Sequence, residues 1–134
     1  MTLIKSISGI RGTIGGKVSE SLSPIDVVQF SAAYGNWIKS KNEGPYSVVI
    51  GRDARPSGPM IFKLVSATLN ALGIDVLDLG LSTTPTVEMA VPHYEANGGI
   101  ILTASHNPKD WNALKLLDKE GQFIDAEAGE WIVQ

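Results

Sequence analysis

Residues 98–108 read GGIILTASHNP. Two glycines open a short apolar run bounded by turn residues, the pattern of a strand buried on both faces. The run passes directly into Ser105, His106, Asn107 and Pro108. A residue before proline avoids the helical region, so Asn107 imposes an extended turn. A buried strand thus delivers the Ser105 hydroxyl to its C-terminal tip on a stiff support. In α/β sheets ligands collect outside the carboxyl ends of strands, which makes Ser105 the first candidate site residue.

Working outward, other apolar runs of strand length occupy 46–51 (YSVVIG), 74–79 and 113–117, and residues 3–14 predict a short strand opening into a glycine-rich turn. Between them lie helical patterns. Ser23-Pro24 supplies an N-cap with proline at the first helical position, and Val27, Phe30, Tyr34, Trp37 and Ile38 follow at helical spacing over 24–40. A second helix presents Ile61, Leu64, Val65, Thr68, Leu69 and Leu72, with Gly73 as its stop, and Ser57 or Gly58 is expected to cap it. Thr83 or Thr84 before Pro85 caps a third, which Pro92 kinks or ends early. Asp125 starts the last. Strands alternating with helices predict an α/β sandwich with a largely parallel sheet. Trp37, Trp111 and Trp131 are expected to pack, and His93 to sit on a helix surface.

The chain has 134 residues, enough for one domain with its own core. Eleven Lys and Arg against 14 Asp and Glu give a formal charge of −3, which argues against a nucleic-acid partner bound through bulk charge. No apolar run approaches the roughly 20 residues that span a bilayer, so no membrane partner is expected, and the opening MTLIKSISGIRG lacks a secretory signal's apolar stretch. With no cysteine, disulfides and thiolate metal sites are excluded. The expectation is a cytoplasmic domain. Its final EAGEWIVQ suits both a native terminus and a piece of a longer chain.

Beyond Ser105, three segments carry candidate chemistry. SGIRGTIGG (8–16) holds Arg11, and residues 1–19 contain Lys5, Arg11 and Lys17 with no acid. Glycines let backbone amides approach an anion and an arginine fork matches phosphate oxygens, although an ordinary loop explains the same residues. It is no P-loop, since Val18 stands where Ser or Thr should follow Lys17, and an NTP-binding domain is disfavoured. In GRDARPSGP (51–59), Arg52 and Arg55 either hold an anion at a helix N-terminus or, the favoured reading, form a structural loop in which Asp53 pairs with an arginine. Lys115 lies either on a solvent-facing edge or aimed at the serine loop, where a desolvated lysine can act as acid or base. Ser105 and His106 are neighbours in an extended segment and point apart, and the flanks lack a hydrolase elbow. Acyl transfer is disfavoured and phosphoryl chemistry remains.

In order, SGIRGT, GRDARPSG, STTPT, GGIILTASHNP and WNALK resemble the N-terminal domain I of the α-D-phosphohexomutases, the family of phosphoglucomutase/phosphomannomutase and phosphoglucosamine mutase. The resemblance covers essentially the whole chain. It implies a three-layer α/β/α sandwich with a mixed, mostly parallel sheet, residues 1–134 being the first of four domains and domains II–IV absent from this chain. It implies that Ser105 is a catalytic phosphoserine exchanging phosphate between the 1- and 6-positions of a hexose or hexosamine through a bisphosphorylated sugar. Lys115 would be the acid/base, His106 a catalytic loop residue, and Arg11 and Asn107 phosphate and substrate contacts. Mg²⁺ would be ligated by the phosphate on Ser105 and by aspartates of a D-G-D-x-D-R loop in the second domain, a motif this chain lacks. The partners implied are a sugar-phosphate substrate and the remaining domains, without which the isolated domain is expected to be inactive. Ser8 stands where many members have aspartate, and Ala113 where glycine is common. The SISGIRGTIGG opening favours phosphoglucosamine mutase, with phosphoglucomutase/phosphomannomutase and a non-catalytic phosphate-binding module as alternatives.

Overall fold

The apolar runs become the centre of one six-stranded sheet. A computed structural model of the chain describes residues 2–6, 9–104 and 107–133. Its elements are β1 (Ile4–Ser6), β2 (Gly9–Thr13), α1 (Pro24–Lys41), β3 (Tyr46–Arg52), α2 (Gly58–Ala71), β4 (Ile74–Leu81), α3 (Thr84–His93), β5 (Gly98–Leu102), β6 (Trp111–Leu117) and α4 (Ala126–Val133). The strand order is β1-β2-β6-β5-β3-β4. β3 lies parallel to both β4 and β5, whereas β5–β6, β6–β2 and β2–β1 are antiparallel. Consequently β2, β3, β4 and β5 run one way and β1 and β6 run against them. The sheet is mixed, with most strands sharing a direction.

Strand periodicity sorts the core into two layers. Val48 and Ile50, Ile100 and Leu102, and Leu114 and Leu116 face α1, α2 and α4 through Phe30, Ile38, Ile61, Val65, Leu69 and Ile132. The alternate residues Val49, Ile101 and Leu117 meet Val87, Ala90 and Val91 of α3 on the other side. Burial on both faces is why these strands read as continuous apolar runs. The result is a three-layer α/β/α sandwich.

Tyr34 of α1 reaches from the helix layer into the sheet. Its buried hydroxyl donates to the Leu117 carbonyl at 2.6 Å and accepts from the Gly99 N–H at 3.0 Å, standing between residues that face each other across β5 and β6. A side chain on Gly98 would run into that hydroxyl, and one on Gly99 would come within 2.8 Å of Val91. The paired glycines make room.

Local signals are met with a few changes. Ser23 caps α1 and Thr83 caps α3, which ends one residue beyond Pro92, and Gly73 follows α2 at φ +82°. Ser57 occupies the N-cap position of α2, but its hydroxyl makes no capping bond and accepts from Asn112 Nδ2 at 2.9 Å instead. Much of the glycine-rich 9–16 segment is strand rather than turn. A side chain on Gly9 would strike the Leu114 carbonyl, and one on Gly12 would come within 2.9 Å of the Leu22 amide, so these glycines serve close backbone approach. Trp37 is buried and Trp111 half-buried, whereas Trp131 remains 44% exposed, contrary to the packing expected of it. His93 lies on the surface with its ring against Tyr94.

Candidate functional site

Because β3 and β5 are parallel neighbours, their carboxyl ends stand side by side, with Arg52 opposite Leu102. The loop after β3 therefore meets the loop after β5. The Asp53 N–H donates to the Leu102 carbonyl at 3.1 Å, continuing the ladder one residue past the strand. Thr103 Oγ1 then donates to Asp53 Oδ2 at 2.6 Å. The same carboxylate oxygen accepts from Arg55 Nε at 3.1 Å, and Oδ1 accepts from the Arg55 N–H at 3.1 Å. Arg55 reaches onward, donating through Nη1 to the carbonyls of Pro108 at 2.6 Å and Trp111 at 3.1 Å. Its side chain is only 11% exposed. Ser105 and His106 lie outside the described residues. On their far side the Asn107 N–H donates to the Ala104 carbonyl at 3.0 Å, and Asn107 lines a shallow hollow with Asp53, Ala54, Arg55, Pro56 and Lys109.

A second cluster forms where β2 pairs with β6. Arg11 faces Ala113 and Gly9 faces Lys115, so Arg11 and Lys115 project from the same face of the sheet. That is the α3 face, but α3 packs on β3 and β5 and leaves Arg11 exposed. Arg11 and Lys115 line one open cavity of about 280 Å³ together with Ser6, Gly9, Ile10, Ala113 and Leu114. Lys115 is half-buried on an interior strand, between β2 and β5, so the solvent-facing edge position is ruled out. Gly9 matters here, since only a residue without a side chain lets β2 lie against Leu114 and bring Arg11 beside Lys115.

Arg11 and Lys115 therefore share a cavity. Asp53, Arg55 and Asn107 gather at the loops that follow β3 and β5. Arg52 lies beside Gly58 at the start of α2, its carbonyl accepting from the Ser82 N–H at 2.9 Å. Sequence reasoning passed over Thr103, whose position one residue beyond an apolar strand beside Ser105 was a usable signal. It also passed over Ser6 and the buried Asn112, for which nothing local in the chain speaks. Among the described residues no group of three or more His, Cys, Asp or Glu side chains gathers to hold a metal ion, and no helix is long and apolar enough to cross a membrane.

Fold and site together define an α/β/α domain with a basic cavity between β2 and β6 and a hydrogen-bonded cluster of Asp53, Arg55 and Thr103 beyond β3 and β5. The chain belongs to the phosphoglucomutase/phosphomannomutase family, whose alpha/beta/alpha domain I matches residues 3–134. It is 36% identical over 118 residues to a phosphoglucomutase/phosphomannomutase of Thermococcus kodakarensis, covering 87% of this chain and 26% of the relative. A phosphoglucosamine/phosphogalactosamine mutase of Sulfurisphaera tokodaii is 35% identical over 119 residues, covering 89% of this chain and 24% of that one. The crystal structure of a phosphoglucomutase/phosphomannomutase family protein from Burkholderia thailandensis superposes with a TM-score of 0.82 at 28% identity, over 97% of this chain and 29% of its own. The chain thus spans about a quarter of the length of the curated relatives it matches.

Proposed function

We propose that this chain is the phosphoserine-bearing domain of a phosphohexomutase. In this reading Ser105 carries a phosphoryl group and passes it to a hydroxyl of a hexose or hexosamine phosphate. The Oγ–P bond breaks as the sugar O–P bond forms, and the hydroxyl proton ends on Ser105 Oγ with Lys115 as its carrier. The bisphosphorylated sugar then returns its other phosphate to Ser105 by the reverse step. A phosphoserine brings about −1.5 to −2 charges, which cationic side chains offset as charge shifts in transfer. The observation that carries the reading is the common cavity of Arg11 and Lys115, two cations brought together on neighbouring strands of a family domain. Arg11 grips a phosphate of the substrate, and His106 and Asn107 complete the serine loop.

In this reading the ligands of a Mg²⁺ ion, apart from the phosphate on Ser105, belong to a second domain, as does the rest of the sugar site, and the domain alone is inactive. A hexosamine phosphate is the favoured substrate. The opening SISGIRGTIGG supports it, and the Sulfurisphaera tokodaii relative is named for hexosamine phosphates. Cytoplasmic residence belongs to the same reading.

The test uses the full-length enzyme that contains this domain. Intact mass is expected to show a gain of about 80 Da, the mass of one phosphoryl group, and peptide mapping to place it on Ser105. Ser105→Ala is expected to lower turnover of glucosamine 1-phosphate by about 10³-fold or more. Turnover retained in Ser105→Ala would remove Ser105 from the mechanism and leave a phosphate-binding module. A higher kcat/KM for glucose or mannose 1-phosphate would reassign the sugar.

A further inference from the structure

The segment that carries Ser105 leaves β5 and returns into β6, and both of its stems are held by the loop that follows β3. On the entering stem, Asp53 takes the Thr103 hydroxyl at 2.6 Å and donates its own N–H to Leu102. On the leaving stem, Arg55 grips the carbonyls of Pro108 and Trp111 with one nitrogen. The two grips are a single unit, because Arg55 Nε also bonds Asp53 Oδ2 at 3.1 Å. Just beyond, Asn112 donates to Ser57 at the other end of the same loop.

We propose that Asp53 and Arg55 are positioning residues for phosphoryl transfer at Ser105, acting by fixing the distance between the two stems of its loop. The proposal rests on the reading of Ser105 as phosphoryl carrier and adds to it a mechanical part. Phosphoryl transfer depends mainly on in-line placement of donor and acceptor, and a misplacement of roughly 1 Å can cost about 100-fold in rate. A hydroxyl carried between two strands holds that placement only as well as the two strand ends are held relative to each other. An exposed Asp–Arg pair contributes little to stability, but this arginine is largely buried and its charge is spent on main-chain carbonyls of the serine loop. The Asp53 carboxylate meets three internal donors, from Thr103, the Arg55 guanidinium and the Arg55 amide. Three of its roughly four acceptor positions are taken by the protein, which suits a brace.

The experiment compares Thr103→Val, Thr103→Ser and Arg55→Lys with wild type and Ser105→Ala in the full-length enzyme, measuring kcat, KM and thermal midpoint. Thr103→Val is nearly isosteric and removes the hydroxyl that donates to Asp53. It is expected to lower kcat by about 10- to 100-fold, with KM within about threefold and the midpoint within about 3 °C of wild type. Thr103→Ser restores the hydroxyl and is expected to recover kcat to within about fivefold of wild type. Arg55→Lys keeps the charge but loses the fork, and repeats the kcat-selective loss through the other stem. Wild-type kcat in both Thr103→Val and Arg55→Lys would overturn the proposal, as would losses that only track the folded fraction. A raised KM at unchanged kcat would overturn it too, by making the pair a substrate contact. Turnover retained by Ser105→Ala would overturn the phosphoryl-carrier reading and this proposal with it. Unimpaired Thr103→Val and Arg55→Lys beside an inactive Ser105→Ala would overturn this proposal alone.

Discussion

Thr103 Oγ1 donates to Asp53 Oδ2 across 2.6 Å, joining the tip of β5 to the loop that follows its parallel neighbour β3. The two residues lie fifty positions apart in the chain. Parallel pairing brings both carboxyl ends to one edge of the sheet, where crossover connections leave a crevice. The bond ties the two loops together at that end of the sheet.

Removing either cation of the β2–β6 cavity should separate binding from chemistry. Arg11→Ala is expected to raise KM for the sugar phosphate about tenfold or more, with a smaller change in kcat, since an arginine fork on phosphate acts on ground and transition states alike. Lys115→Met should do the reverse, lowering kcat by about 100-fold or more at a similar KM. Steady-state kinetics of the full-length enzyme check both. Equal effects of the two substitutions on kcat would deny them separate roles.

The Tyr34 hydroxyl predicts a stability effect with an alkaline signature. Tyr34→Phe leaves the Gly99 N–H and Leu117 carbonyl without their bridge and should cost about 1–3 kcal/mol in urea unfolding at pH 7. Burial pushes the Tyr34 phenol above its ordinary value of 10.0, outweighing the lowering from the Gly99 bond. A group whose folded value is raised stabilises fully below its unfolded value and loses that contribution as pH climbs above it. Wild-type stability should therefore fall more steeply than that of Tyr34→Phe above about pH 10. Parallel curves would show that Tyr34 does not titrate with unfolding.

Asp26 predicts the opposite, acid-side behaviour. Burial raises its carboxyl, but bonds from the Ser23 hydroxyl at 2.6 Å and the Ser19 N–H at 2.9 Å, aided by Lys5, prevail and hold it below 3.8. Its stabilisation is present above the unfolded value and lost as pH falls through the folded one. Asp26→Asn should lower the urea midpoint at pH 7, and the gap to wild type should close as pH drops below about 4. A gap that persists at pH 2 would assign the loss to packing instead of charge.

The chain shows how much of such a domain can be read locally. Ser23-Pro24, Thr83 before Pro85, Gly73 and the apolar runs at 98–102 and 113–117 each encode a local conformation, and each element stands close to where its pattern placed it. Gly9 and Gly12 misled in part because glycine marks turns and close strand packing with the same letter. Ser57 is sound N-cap chemistry diverted by a buried neighbour, Asn112, that no local window contains.

Composition, periodicity and motif order by themselves determined an α/β chain of alternating elements and singled out Ser105, just past an apolar run, as a candidate. Capping, turn chemistry and burial patterns act over a few residues and are written in consecutive letters. The tertiary structure alone decided that β6 lies between β2 and β5. That choice puts Arg11 and Lys115 in one cavity, and the β3–β5 pairing puts Asp53 and Arg55 against both stems of the serine loop. Strand partners are chosen by how the whole set of apolar faces can be covered at once, and many orders satisfy the same local periods. The contacts that follow from that choice join residues whose neighbours in sequence carry no trace of it.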